Sequence, residues 1–326
     1  MGAAKSFHSA FSMRLFAGLA VCLLAAGCGA PGLYPFAGCG PGPRATLAVQ
    51  MREQLPVVQV TVNDRSADLI IDTGATTTVF NRNAAAVLGL QAMAGPGLAY
   101  TTVQGVGRAS RATIDVLRLG PWTLTDLEVA VTANTPEDGV LGLDVLSRYD
   151  IDVNLPKSEV VLHKGGLCPG EEPVLAGPML ELPAARLAAH PSIAGLVQSR
   201  TPEPFLVVPV RLDGAATFAM LDTGAAAGSL VSTVFAAQAG MREGADQAAA
   251  ISVLGFGAHL RLGQHRFAEL LVGRERFENP TLLVGGDPHV AFPIILGHDY
   301  FITHRVWFSF ASDRIFVVPV PQQAGP

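Results

Sequence analysis

Two stretches of this 326-residue chain are copies of one unit, and a chain built from two copies of a unit folds as two like bodies. The segment VQVTVNDRSADLIIDTGA (Val58 to Ala75) lies against VPVRLDGAATFAMLDTGA (Val208 to Ala225) at an offset of 150 residues. In each, apolar residues alternate, a polar turn follows (Asn63-Asp64, then Asp213-Gly214), and a second apolar strand runs into Asp-Thr-Gly-Ala. That pattern predicts a β-hairpin carrying a loop at its far end. The offset holds at Gly105-Val106-Gly107 against Gly255-Phe256-Gly257. LRLG then recurs at Leu117 to Gly120 and Leu260 to Gly263, where the offset of 143 reads as a seven-residue deletion in the second copy. Finally, the run from Leu141 to Leu162 aligns without a gap to the run from Leu296, at offset 155. An ordered series of this kind is not a product of chance.

Each copy therefore reads as an all-β unit of short strands, with a brief helix at Asp144 to Tyr149 and Asp299 to His304, where strand alternation lapses after a glycine. The expected organisation is an N-terminal lobe at 45–165, a connection rich in Pro, Gly and Ala at 166–203, and a C-terminal lobe at 204–322. With 49% hydrophobic and 15% charged residues the chain has apolar material for two cores. The net charge of −5 comes with no basic block, which excludes nucleic acid as a partner.

The N-terminus reads as a targeting segment, residues 1–27. Lys5, His8 and Arg14 precede the apolar run Leu15 to Ala26, which is short for a transmembrane helix and suits a signal-peptide core. The run ends in Leu24-Ala25-Ala26-Gly27-Cys28, which resembles a bacterial lipobox whose cysteine becomes a lipidated N-terminus. The alternative is an ordinary secretory signal cleaved near Ala26 or Ala30. Residues 28–44 then form a Gly/Pro-rich tether. Gly29 after Cys28 implies, by the same resemblance, a lipid anchor in the outer membrane of a bacterial cell envelope, facing the periplasm. Cys22 leaves with the signal, so Cys39 and Cys168 remain as a candidate disulfide, the alternative being two free thiols. The sequence holds no CxxC or HExxH, so no metal ligand set and no cofactor motif is expected.

Each half resembles a protomer of the retropepsin-type aspartic proteases. The resemblance rests on Asp-Thr-Gly-Ala after an apolar strand, on the segment TTVQGVG, and on the late apolar pairs before glycine, Val140-Leu141-Gly142 and Ile295-Leu296-Gly297. It implies two β-barrel lobes in a pepsin-like bilobal pseudo-dimer, active as a monomer on a polypeptide substrate. Asp72 and Asp222 are the implied catalytic dyad. Such chemistry needs one group to take a proton from water while another gives one to the carbonyl oxygen, and two carboxyls sharing a proton do both.

Gly74 and Gly224 would let the loop backbone approach and donate N–H groups to the carboxylates. By resemblance, Thr73 and Thr223 would hydrogen-bond across the lobes, and Gly142 and Gly297 would let the late strand pass beneath the loop. Gly105 to Gly107 and Gly255 to Gly257 would form flaps that pair with an extended substrate. Asp144 and Asp299 read as helix-capping or inter-lobe salt-bridge residues rather than catalytic ones. The eight His are scattered outside any nucleophile context. The alternative function is a catalytically inactive peptide-binding envelope lipoprotein, suggested by the small-residue run Ala225 to Gly228 after the second loop.

Overall fold

The computed structural model describes residues 39–40, 42–102, 105–133, 135–187, 205–241, 251–254, 259–285 and 292–321. These lie in one compact unit that is nearly all β, arranged as two sheet lobes. The hairpin of the first lobe, Leu55–Val62 with Arg65–Ile71, turns at Asn63 and Asp64, both at positive φ (48° and 63°). That two-residue geometry matches the right-handed twist of the strands it joins. The second lobe repeats it with Leu206–Leu212 and Ala215–Leu221 about Asp213 and Gly214. In each lobe the late strand runs parallel beside the strand that ends in aspartate: Ile71 opposite Leu141, and Leu221 opposite Leu296. Both late strands are buried along their whole length, consistent with their unbroken apolar sequences.

The lobes are joined by six consecutive strands of one sheet, in the order Leu180–Leu182, Arg314–Pro319, His304–Ser309, Asp150–Asn154, Glu159–His163 and Arg44–Arg52. The seam is the pairing of Ile151 with Phe308 and of Val153 with Val306. Charge reinforces it. Buried Asp152 accepts two hydrogen bonds from Arg305 across the seam, at 2.8 and 2.5 Å. Asp150, fully buried, accepts from Ser309 Oγ (2.7 Å), the Leu167 N–H (2.7 Å), the Ala311 N–H (3.3 Å) and Trp307 Nε1 (3.4 Å). Four donors offset the cost of enclosing that carboxyl, although burial still raises its pKa above the ordinary range.

The stretch at 166–203 is more than a connection. Leu180–Leu182 pairs with Arg314–Pro319 as Arg44–Arg52 pairs with Glu159–His163, and Ala185–Arg186 pairs with Leu206–Leu212. It thus carries the first strand of the second lobe, broken at Pro183, which lacks the N–H a continuous ladder needs. Cys39 and Cys168 are disulfide-bonded, 129 residues apart. Cys28 lies outside the described residues.

The LRLG match is also corrected by strand register. Val62 lies opposite Leu117, and its counterpart Leu212 lies opposite Leu270. The true counterpart of Leu117–Gly120 is therefore Leu270–Gly273, at offset 153, and no seven-residue deletion exists. A short Leu-x-Leu-Gly fits many strand ends, and hydrogen-bond register decides between them.

Candidate active site

Both Asp-Thr-Gly loops begin where a buried strand leaves the sheet. The Asp72 N–H still donates to Leu141 O (3.2 Å) and the Asp222 N–H to Leu296 O (2.9 Å), so each aspartate's backbone is held by its late strand. The chain then turns at once. Gly74 N–H donates to Asp72 Oδ1 and Gly224 N–H to Asp222 Oδ1, each at 2.8 Å. A Cβ on Gly74 would stand 2.4 Å from Cγ of Asp222, and one on Gly224 would stand 2.5 Å from Cγ of Asp72. Each glycine thus backs onto the aspartate of the other lobe, and no side chain fits there.

The loops are tied by a reciprocal set of four bonds. Thr73 N–H donates to Thr223 Oγ1 (3.0 Å) and Thr223 N–H to Thr73 Oγ1 (3.1 Å). The Thr73 hydroxyl donates to Leu221 O (2.8 Å) and the Thr223 hydroxyl to Ile71 O (2.7 Å). Both threonines are buried. Each hydroxyl spends its donor and its acceptor on the opposite lobe, so the two loops form one rigid unit.

The two carboxyls act on each other's charge, and each stays partly exposed at the mouth of the paired loops. Burial, and next the charge of Asp222, push the Asp72 carboxyl well above the usual carboxylate range. Burial also raises Asp222, while the neighbouring Asp72 carboxyl and the backbone N–H groups of Gly224, Ala225 and Gly74 hold it back. Two carboxyls that act on each other in this way titrate as a pair rather than as separate residues.

Beneath the loops, Gly142 and Gly297 pass so close that a Cβ would lie 2.6 Å from the Thr77 backbone or from Gly228 O. Here the structure adds two residues that the sequence reading missed. Gly142 N–H donates to Thr78 Oγ1 (3.1 Å), which donates to Asp144 Oδ1 (2.7 Å). Gly297 N–H donates to Ser229 Oγ (3.1 Å), which donates to Asp299 Oδ1 (2.7 Å). Asp144 and Asp299 therefore make no inter-lobe salt bridge among the described residues. Each binds the far end of its own aspartate loop to the first turn of the following short helix, Leu143–Leu146 or His298–Phe301. The signal was a hydroxyl four or five positions after each Asp-Thr-Gly glycine. The one-residue difference hid it, because Val79 pairs with Val140 as Leu230 pairs with Ile295, an offset of 151.

The run Ala225 to Gly228 absorbs the extra residue at Gly228, whose φ is +113°. Ala225 and Ala227 pack against the core. The small side chains thus fill their space.

Gly105, Val106 and Gly107 lie on the strand Gly105–Leu119, whose first residues pair with Leu98–Thr102 as a hairpin, Gly105 opposite Thr102. Gly255, Phe256 and Gly257 lie outside the described residues, between the paired strands Ile251–Leu254 and His259–Arg266. Among the described residues no group of three His, Cys, Asp or Glu side chains is placed to hold a metal.

Residues 58–148 match the family described as "gag-polyprotein putative aspartyl protease", and residues 208–300 match the family described as "Aspartyl protease". The chain carries two aspartyl protease domains in tandem. Each match begins on the first strand of its hairpin and ends in or just past the short helix, so each contains one Asp-Thr-Gly loop and the late strand beside it. The tandem arrangement is similar in fold to the crystal structure of aspartic proteinase from Irpex lacteus. That likeness has a TM-score of 0.54 at 12% identity and covers 87% of this chain and 99% of that one. No curated protein matches the chain.

Proposed function

We propose that this protein is an aspartic endopeptidase that hydrolyses peptide bonds with a water activated by Asp72 and Asp222. The observation that carries the reading is the reciprocal packing of each glycine against the other lobe's carboxyl, which brings the two acids together; in this reading they share a single proton. The ionised carboxyl takes a proton from water as the water attacks the scissile carbonyl. The protonated one donates to the carbonyl oxygen, giving a neutral tetrahedral diol. Collapse returns a proton to the leaving amine and regenerates the monoanionic pair. The Thr73–Thr223 bonds hold the acids at this separation without reorganisation during the reaction.

Hairpin Leu98–Thr102 with Gly105–Leu119 and its counterpart in the second lobe would lie over an extended substrate and pair with its backbone as an added strand. The protein works as a monomer in this reading, since one chain supplies both loops. The lipobox reading adds a lipid on Cys28 that holds the enzyme in a bacterial envelope. If Cys28→Ser left membrane partitioning unchanged, that part would be wrong.

The test of function is digestion of casein or a peptide library by the purified chain, with and without pepstatin, beside Asp72→Asn and Asp222→Asn. Internal cleavage that pepstatin blocks and that either variant lacks is the expected result. Full binding of peptides with no turnover in the wild type would instead favour an inactive peptide-binding lipoprotein.

A further inference from the structure

A concave site of about 430 Å3 opens on the first lobe, between the turn at Pro121 and the end of the helix Leu143–Leu146. Its floor is Trp122 stacked on Tyr149, ring centroids 4.7 Å apart and 11° from parallel. Arg148 and Lys164 stand at its walls, with Thr123 and Leu124. None of the residues around it is acidic.

The polar groups in this hollow are all capable of donating and are largely unspent. Among the described residues nothing accepts a hydrogen bond from the Trp122 indole N–H, the Tyr149 hydroxyl or the Lys164 ammonium. Arg148 uses only Nε, toward the backbone carbonyl of Asp144 (2.9 Å), and among the described residues neither cation has an ion-pair partner. Asp144, on which the charge of Arg148 acts, is already taken by Thr78 and Val145. Arg148 does act on Tyr149, where its charge opposes the upward shift that burial gives the phenol.

The fold does not require this arrangement, because the second lobe dispenses with it. Trp122 follows its turn opposite Leu119 as Glu275 follows its turn opposite Val272, and Tyr149 and His304 share the offset of 155 that relates Gly142 to Gly297. At the second position Glu275 closes on His304 Nε2 at 2.9 Å. Arg148 and Lys164 are replaced there by Thr303 and Pro319. One lobe therefore closes the position with a hydrogen-bonded pair around buried His304. The other leaves it open, aromatic and doubly cationic on a chain of net charge −5.

We propose that this hollow is a binding site for an oxyanion, phosphate by chemistry, attached to an apolar or planar body that rests on Trp122. Two cations flanking a phosphate supply charge-assisted bonds, and the indole and phenol edges supply two more donors. The same phosphate could be that of an anionic phospholipid or of a soluble phosphate ester. The lipid source has positional support: Lys164 N–H donates to Pro43 O (3.0 Å), Gly40 N–H to Gly166 O (3.0 Å), and Cys39 is bonded to Cys168. Cys39, Gly40 and Pro43 are thus pinned beside the site.

The test uses the full chain carrying Cys28→Ser, so that no lipid of its own drives it onto membranes. Inorganic phosphate is titrated calorimetrically, and sedimentation with phosphatidylglycerol vesicles is compared with phosphatidylcholine vesicles. Lys164→Gln and Trp122→Phe are run beside it. Saturable binding of phosphate that weakens about tenfold in Lys164→Gln supports the site with a soluble source. Selective sedimentation with phosphatidylglycerol that both variants reduce, with a blue shift of Trp122 emission, supports it with a lipid source. Thermal midpoint and peptidase activity stay unchanged in Lys164→Gln, since that side chain is exposed and apart from the dyad. No response to phosphate together with equal sedimentation of wild type and Lys164→Gln would overturn the proposal.

Discussion

Replacing Thr73 by Val keeps the shape of the side chain and removes its hydroxyl. Two groups of the second lobe then lose their partner: the Thr223 N–H, now 3.1 Å from Thr73 Oγ1, and Leu221 O, which accepts from that hydroxyl at 2.8 Å. Both lie in buried surroundings, Thr223 at 1% exposure and Leu221 also at 1%. A buried group left unpaired costs about 1–3 kcal/mol, so Thr73→Val should destabilise by about 2–6 kcal/mol. Against a total of about 5–15 kcal/mol for a folded protein, such a loss is readily measured. Thr73→Ser keeps the hydroxyl and gives up one methyl, costing about 1 kcal/mol. Urea unfolding of the three proteins reads the difference directly. Peptide hydrolysis should fall further than stability suggests, because a displacement of about 1 Å between the acids lowers the rate on the order of a hundredfold. Adding Thr223→Val to Thr73→Val should cost less than the sum of the singles, since the two hydroxyls serve one network. If Thr73→Val unfolds within about 0.5 kcal/mol of wild type at unchanged slope, the inter-lobe bonds are not what holds the loops.

The acids themselves should oppose stability. The folded-state pKa of Asp72 is raised above its unfolded value, so its cost is absent below the unfolded pKa and grows as pH rises toward the folded one. Asp72→Asn is therefore expected to abolish hydrolysis yet raise the thermal midpoint at neutral pH, with the gain vanishing below about pH 4, where an unfolded aspartate is protonated. A midpoint lowered at neutral pH would refute the sign. Ala75 and Ala225 follow the two Asp-Thr-Gly loops and offer no side-chain donor, so the wild-type optimum should lie in the mildly acidic to near-neutral range. Ala75→Ser adds a hydroxyl able to donate to ionised Asp72 and should move the acid limb of kcat/KM to lower pH, a profile that a purely structural effect would only scale. Reduction of Cys39–Cys168, which closes a separation of 129 residues, should lower stability by up to about 5 kcal/mol on the chain-entropy view, tested by unfolding with and without reductant. Gly142→Ala would press a methyl to 2.6 Å from the Thr77 backbone and should cost about 1–3 kcal/mol, seen as a lower urea midpoint.

How much of the site was legible follows from the range of the interactions involved. The loop sequence Asp-Thr-Gly and the apolar strand before it are local, so two copies of them announced two equivalent acids and the hairpins that carry them. The close passage of the late glycines was assigned, like the partner of Thr73, through the resemblance, and Thr77, Ala75 and Gly228 are what they pass. The partner of Thr73 was assigned only through a resemblance. The roles of Thr78 and Ser229 were not seen, because a one-residue difference in loop length breaks the repeat where they sit.

The sequence by itself determined that two β lobes exist, that each ends a strand in an acid, and that the chain has the apolar content to bury both cores. Alternation and turn residues encode these over a few positions, and duplication multiplies the signal. Only the tertiary structure decided the registers. Leu270, not Leu260, answers to Leu117, and Leu180–Leu182 belongs to the second lobe rather than to a connection. It also decided that Asp152 meets Arg305 and that Asp150 gathers four donors across 17 to 161 residues of chain. Register and long-range pairing depend on which strand edges meet, and an isolated strand of three residues carries too few side chains to specify its neighbour.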